Sequence, residues 1–147
     1  MSKFRVWDQL LEKHFFEGFK IDSHGTLVEC EWYLEREKKS NEVIRKNMAE
    51  DGKYHGGKMP KQGLIIERSI EREDKNKVEI YQNDKIQYWN SEFTDSAIHR
   101  VMWDRNKIGW VLSQEGLKKD DTLWMRDWFP SRAEVIKYYF IDKSENI

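Results

Sequence analysis

Between Asp74 and Gln114 the chain alternates with a period of two, and short polar turns interrupt it. Val78–Tyr81, Lys85–Trp89, Ala97–Trp103 and Ile108–Ser113 are rich in β-branched and aromatic residues. Successive side chains of a strand point to opposite faces, so this period predicts four strands. Ala97, His99, Val101 and Trp103 share one face of the third, and Ile108, Trp110 and Leu112 share one face of the fourth. Asp104-Arg105-Asn106-Lys107 reads as a tight hairpin turn between them, which sets the two rows opposite each other.

The flanking segments extend the β reading. Phe4–Asp8 is a first strand. Phe15–Ile21 and Thr26–Leu34 make a hairpin around Asp22–Gly25, and Leu64–Ile70 resumes β character. Val135–Ile141 is a closing strand, entered after about one turn at Ser131–Glu134. Residues 41–50 read as one short helix. Ser40 is its N-cap, Val43, Ile44 and Met48 are its apolar stripe, and Gly52 is its stop. The expected fold is mainly β, a single domain over residues 1–147. Residues 1–63 hold the N-terminal strands, the helix and a basic loop, and residues 64–147 hold the remaining strands.

Composition narrows the class. Charged residues make up 36%, yet 26 basic and 27 acidic side chains leave a net charge of −1. That balance argues against a nucleic-acid binder with a basic footprint over its whole surface. Seven Trp, six Tyr and seven Phe supply large apolar area from few residues, enough for a compact core. The single cysteine, Cys30, excludes an intrachain disulfide and suits a reducing compartment. The N-terminal residues carry no apolar signal-peptide core, and no run of 18 apolar residues occurs. The expectation is a cytoplasmic protein, with no membrane contact.

Candidate chemistry is sparse. Gly52-Lys53-Tyr54-His55-Gly56-Gly57-Lys58 has the spacing of a phosphate loop, but Met59 stands where a magnesium-binding Ser or Thr is needed. Glycine amides with Lys53, His55, Lys58 and Lys61 retain the means to hold a phosphate or a nucleic-acid backbone. The histidines and Cys30 lack metal-ligand spacing, so no metal and no cofactor is expected. Cys30, flanked by Glu29 and Glu31, reads as a buried thiol rather than a nucleophile. Asp84 or Asp104 with His55 or His99 would be the acid–base groups of an enzyme acting on a nucleotide or nucleic acid, but no motif joins them. Trp89, Trp103 and Trp110 are the aromatic candidates for a binding face.

Lys3–Asp8 resembles the opening of YopX-like proteins, which phages and prophages encode. Residues 74–86, DKNKVEIYQNDKI, are similar to that family's central motif, an Asp-Lys-Asn-Gly turn, Ile-Tyr-Glu-Gly-Asp and an aliphatic strand. His99–Leu112 is similar to the strand pair that follows, and Glu134-Val135-Ile136 to the closing strand. Tyr81, Asn83 and Asp84 occupy the motif's centre, and Asp84, at a strand start, reads as a turn anchor accepting backbone N–H bonds rather than as a catalyst. Asn83 replaces a glycine, and Lys77 replaces the glycine of the Asn-Gly turn. Asn tolerates the left-handed conformation and Lys does so less readily, so the turn at Lys77 is expected to differ. The resemblance leaves residues 35–63 uncovered. It implies an SH3-like barrel in the C-terminal part and no established activity. The expected function is therefore a non-enzymatic phage or prophage accessory module, acting through protein–protein contacts and self-association as a homo-oligomer. Binding of nucleic acid or a nucleotide phosphate by the 52–63 loop is the alternative, and the acid–base enzyme a further one.

Overall fold

A computed structural model describes residues 4–51, 63–106, 108–114 and 123–138, except for the side chains of residues 47–51. The chain divides into two compact units, Arg5–Ile66 and Glu67–Ile147, with Met1–Phe4 joining the second. The fold is mainly β with one helix, as expected. Among the described residues no helix is long and apolar enough to cross a membrane.

In the first unit, β1 (Phe4–Asp8) pairs antiparallel with β2 (Lys13–Phe15), Val6 facing Phe15 and Asp8 facing Lys13. The expected strand Phe15–Ile21 is broken in two, because Gly18 takes a left-handed φ of 80°. The second piece, β3 (Phe19–Ile21), pairs with β4 (Leu27–Cys30) around the anticipated turn. Asp22 Oδ1 holds that turn by accepting from the N–H groups of His24 and Thr26, both at 2.9 Å.

The helix departs from expectation. It runs over Tyr33–Asp51 (α1), so β4 ends at Cys30 and the charged run Glu35–Ser40 is helical. Arg, Lys and Glu are good helix formers, but the decisive cause is long-range. The Asp8 carboxylate is fully buried and accepts four hydrogen bonds. Leu10 and Leu11 N–H donate to Oδ1, and Trp32 Nε1 (3.0 Å) and Arg36 Nε (2.7 Å) donate to Oδ2. A buried carboxylate requires such partners. Helical winding from residue 33 delivers Arg36 to the same carboxylate as the Trp32 indole, whereas a strand would set the two side chains about 13 Å apart along one face. Phe15 stacks flat on Trp32 at 3.9 Å. Ser40 is not an N-cap: it lies buried mid-helix, on the stripe Trp32, Arg36, Ser40 and Ile44 that faces inward.

The second unit holds a five-stranded antiparallel sheet in the order β10-β9-β8-β7-β11, curled into a half-barrel. Its strands are β7 (Asp84–Trp89), β8 (Ser96–Asp104), β9 (Gly109–Ser113), β10 (Leu123–Trp124) and β11 (Ala133–Tyr138). Preceding them, β5 (Leu64–Glu73) pairs with β6 (Glu79–Tyr81). The concave face carries Ile86, Val101, Leu112 and Ala133, packed with Ile70, Ile80 and Trp128. Asp74 ties the start of the motif to the closing strand. Its Oδ1 accepts from Asn76 and Val78 N–H, and its Oδ2 from Val135 N–H at 2.9 Å. The turn at Lys77 keeps its left-handed conformation, φ 62°, despite the missing glycine. The bonds to Asp74 and that of Lys77 N–H to the Asp74 carbonyl hold it there. After β10, two short 3₁₀ turns, Met125–Asp127 and Pro130–Arg132, lead into β11, so the Ser131–Glu134 pattern opens no α-helix.

Candidate binding site

The motif residues Asn83 and Asp84 form a turn anchor. Asp84 is buried, and its Oδ2 accepts from Tyr81 N–H at 2.8 Å. Asn83 adopts φ 71°, and its backbone N–H donates to the Val101 carbonyl. Its side chain does more than the sequence suggested. Nδ2 donates to the fully buried Glu67 at 2.6 Å, and Tyr138 O–H donates to the same Glu67 oxygen at 2.5 Å. On the other side, Asn83 Oδ1 accepts from Arg100 Nε (3.1 Å) and Nη2 (2.7 Å). Two bonds to one acceptor restrict the guanidinium's rotation, so the turn that starts β7 also positions a cation on β8.

Arg100 lies on the convex face of the sheet. Register places it opposite Lys85 on β7 and opposite Ser113 on β9, and the three form one cross-strand row. Ile98 and Met102 flank it at alternate positions of β8. These residues, with Gln114 and His99, line a pocket of about 410 Å³. That volume falls in the range of small-ligand and peptide-side-chain sites. Ile98 is 50% exposed, so the apolar part of the lining is open to a partner.

His99 belongs to the opposite, concave face of β8, with its ring edge-on to Tyr88 at 6.3 Å. Burial pushes its imidazole below the ordinary value, which favours the neutral form. Its Nδ1 is buried and meets no hydrogen-bond partner among the described residues. Asp104 accepts from Asn106 N–H in the hairpin turn, so Asp84 and Asp104 each brace a turn. Cys30 is half-buried rather than buried. Burial raises its thiol, while the Arg36 guanidinium opposes that and the Asp8 and Glu29 carboxylates add to it.

The three candidate tryptophans do not form one platform. Trp89 ends β7 on the convex face, with the Lys75 ammonium 5.8 Å from its ring centre. Trp103 and Trp110 sit edge-to-face at 5.2 Å at the far end of β8, on the concave side. Trp89 pairs with Ser96, which lies seven residues before Trp103 along β8, roughly 23 Å at the strand rise. Trp110 packs against the core, and Trp103 is 40% exposed. Lys53, His55, Lys58 and Lys61 lie outside the described residues.

Sequence reasoning passed over Lys85, Ile98, Arg100 and Met102. Period two already assigns them outward positions on their strands. Their neighbourhood depends on the β7–β8 register, which spans a loop whose closure a linear reading does not specify.

No protein-family model and no curated protein sequence matches the chain. Among solved structures, the crystal structure of protein EF1440 from Enterococcus faecalis is similar over 92% of this chain and 91% of its own. The identity is 17% and the TM-score 0.41.

Proposed function

We propose that the protein is a non-enzymatic binding module that acts through contacts with other proteins, including copies of itself. One observation carries this reading: the convex face of β7–β9 holds an open pocket with a braced cation, Arg100, and an exposed aliphatic side chain, Ile98. Among the described residues outside it, three acidic groups serve the fold. Asp84 and Asp104 brace turns, and Glu67 is held by Asn83 and Tyr138. The resemblance of residues 74–86 to the YopX-like motif supports a phage or prophage origin, and with it a role in the cytoplasm of a bacterial host.

Multi-angle light scattering across a concentration series tests self-association. The expected result is a mass that rises above the monomer's 17.9 kDa. A monomer at every concentration, together with no protein recovered by cross-linking in host cells, would sink the reading.

A further inference from the structure

We infer that Arg132 and Tyr88 form a carboxylate-binding site, with the exposed Phe129 ring as its apolar neighbour. The site shares no residue with the β7–β9 pocket, and it stands whether or not the binding-module reading holds.

Local sequence builds it. In Phe129-Pro130-Ser131-Arg132, Pro130 opens a 3₁₀ turn, and Arg132 N–H donates to the Phe129 carbonyl at 2.9 Å. The turn is tied to β7 through one atom: Tyr88 Oη accepts from Phe129 N–H at 2.9 Å and from Arg132 Nη2 at 3.0 Å. The Arg132 guanidinium carbon lies 4.8 Å from the Phe129 ring centre and 5.2 Å from that of Tyr88. Aromatic rings attract a guanidinium. Together with the hydrogen bond they orient this one, so less side-chain freedom is lost when a ligand arrives.

What the arrangement lacks is an acceptor. A guanidinium has five N–H donors, and Arg132 uses one of them. Tyr88 Oη accepts two bonds, so both its lone pairs are engaged and only its proton remains to give. Among the described residues no carboxylate lies within ion-pair reach of Arg132, and no acceptor meets the Tyr88 O–H. Arg132 is half-buried, and a partly desolvated cation with no counter-charge favours an anion beside it. The charge count selects which anion. A phosphoryl group carries about −1.5 to −2 at neutral pH and calls for a second cation, but Arg132 alone bonds Tyr88 Oη as a cation. A carboxylate carries a single charge, and its two oxygens match the planar fork of arginine. Phe129, 56% exposed, offers apolar surface to the carbon skeleton that bears the carboxylate.

The test titrates the ¹⁵N-labelled full chain and follows the Arg132 Nε–H and the backbone amides. The probes are sodium acetate, a capped Leu-Glu-Leu peptide, its Leu-Gln-Leu counterpart and inorganic phosphate. The Glu peptide should shift Arg132 Nε–H and the Phe129 amide, and bind at least about tenfold tighter than the Gln peptide, because an ionised acceptor makes the stronger hydrogen bond. Equal affinity for acetate and the Glu peptide identifies small carboxylates as the ligand, and tighter peptide binding identifies acidic protein side chains; each upholds the site. Arg132→Lys keeps the charge and removes the fork, and Tyr88→Phe keeps the ring and removes the hydroxyl. Each should weaken binding of the Glu peptide about tenfold, and each variant's own spectrum reports whether it folds. Equal affinity for the Glu and Gln peptides, tighter binding of phosphate, shifts confined to other residues, or undiminished binding by folded Arg132→Lys would overturn the inference.

Discussion

Lys77 shows how a single residue can be held against its own preference. A left-handed conformation costs an L-residue about 1–2 kcal/mol, yet Lys77 adopts it because Asp74 organises the turn around it. Lys77→Gly should therefore raise stability by about 0.5–1 kcal/mol, the relieved strain exceeding glycine's extra unfolded-state entropy. Urea unfolding would report a higher midpoint at unchanged slope. His99 provides a second residue-level test. Its folded pKa is lowered by burial from 6.5. Above that value neither state binds the proton, and stability is unaffected. As pH falls below it, the unfolded chain takes up a proton that the folded chain resists, so stability declines. His99→Phe keeps a ring against Tyr88 and removes this loss. The variant's stability relative to the parent should grow from about pH 7.5 to pH 5 in urea titrations. The motif acid Asp84 was legible from sequence as a turn anchor because Asx turns are local chemistry. The bond from Asn83 to Arg100 was not, since it joins residues 17 apart.

At the level of elements, strands and helix differ in how they are specified. The strands of residues 78–113 fall where their period-two patterns end, because alternation and turn residues act over a few positions. Helix α1 does not follow its own apolar pattern, which is thin. Its start follows Asp8, a buried charge that Arg36 and Trp32 must satisfy. Arg36→Ala leaves that carboxylate without its cation and should cost about 3–5 kcal/mol. Calorimetry should show the loss as a lower melting temperature. The double variant Asp8→Asn with Arg36→Met should recover part of it, because no charge then stays buried. Equal stability of Arg36→Ala and the parent would show that the ion pair does not hold the helix start.

For the whole molecule, a net charge of −1 gives no long-range attraction to polyanions. The tryptophans make a related point about reading composition. Their number announced a substantial aromatic core. Their distribution over both faces and both ends of the sheet makes Trp110 a core residue and leaves Trp103 partly exposed.

Local rules were sufficient for a mainly β fold, the strand positions between Val78 and Ser113, and the turn roles of Asn83 and Asp84. Backbone preference, side-chain alternation and Asx bonding all act within a few residues. Where the helix begins, which tryptophans are covered and which cation stands beside which followed from contacts distant in sequence. Burial of Asp8 selected Arg36, and the β7–β8 register set Lys85 opposite Arg100. Free energies of that kind belong to pairs of residues that the linear chain keeps apart and only packing brings together.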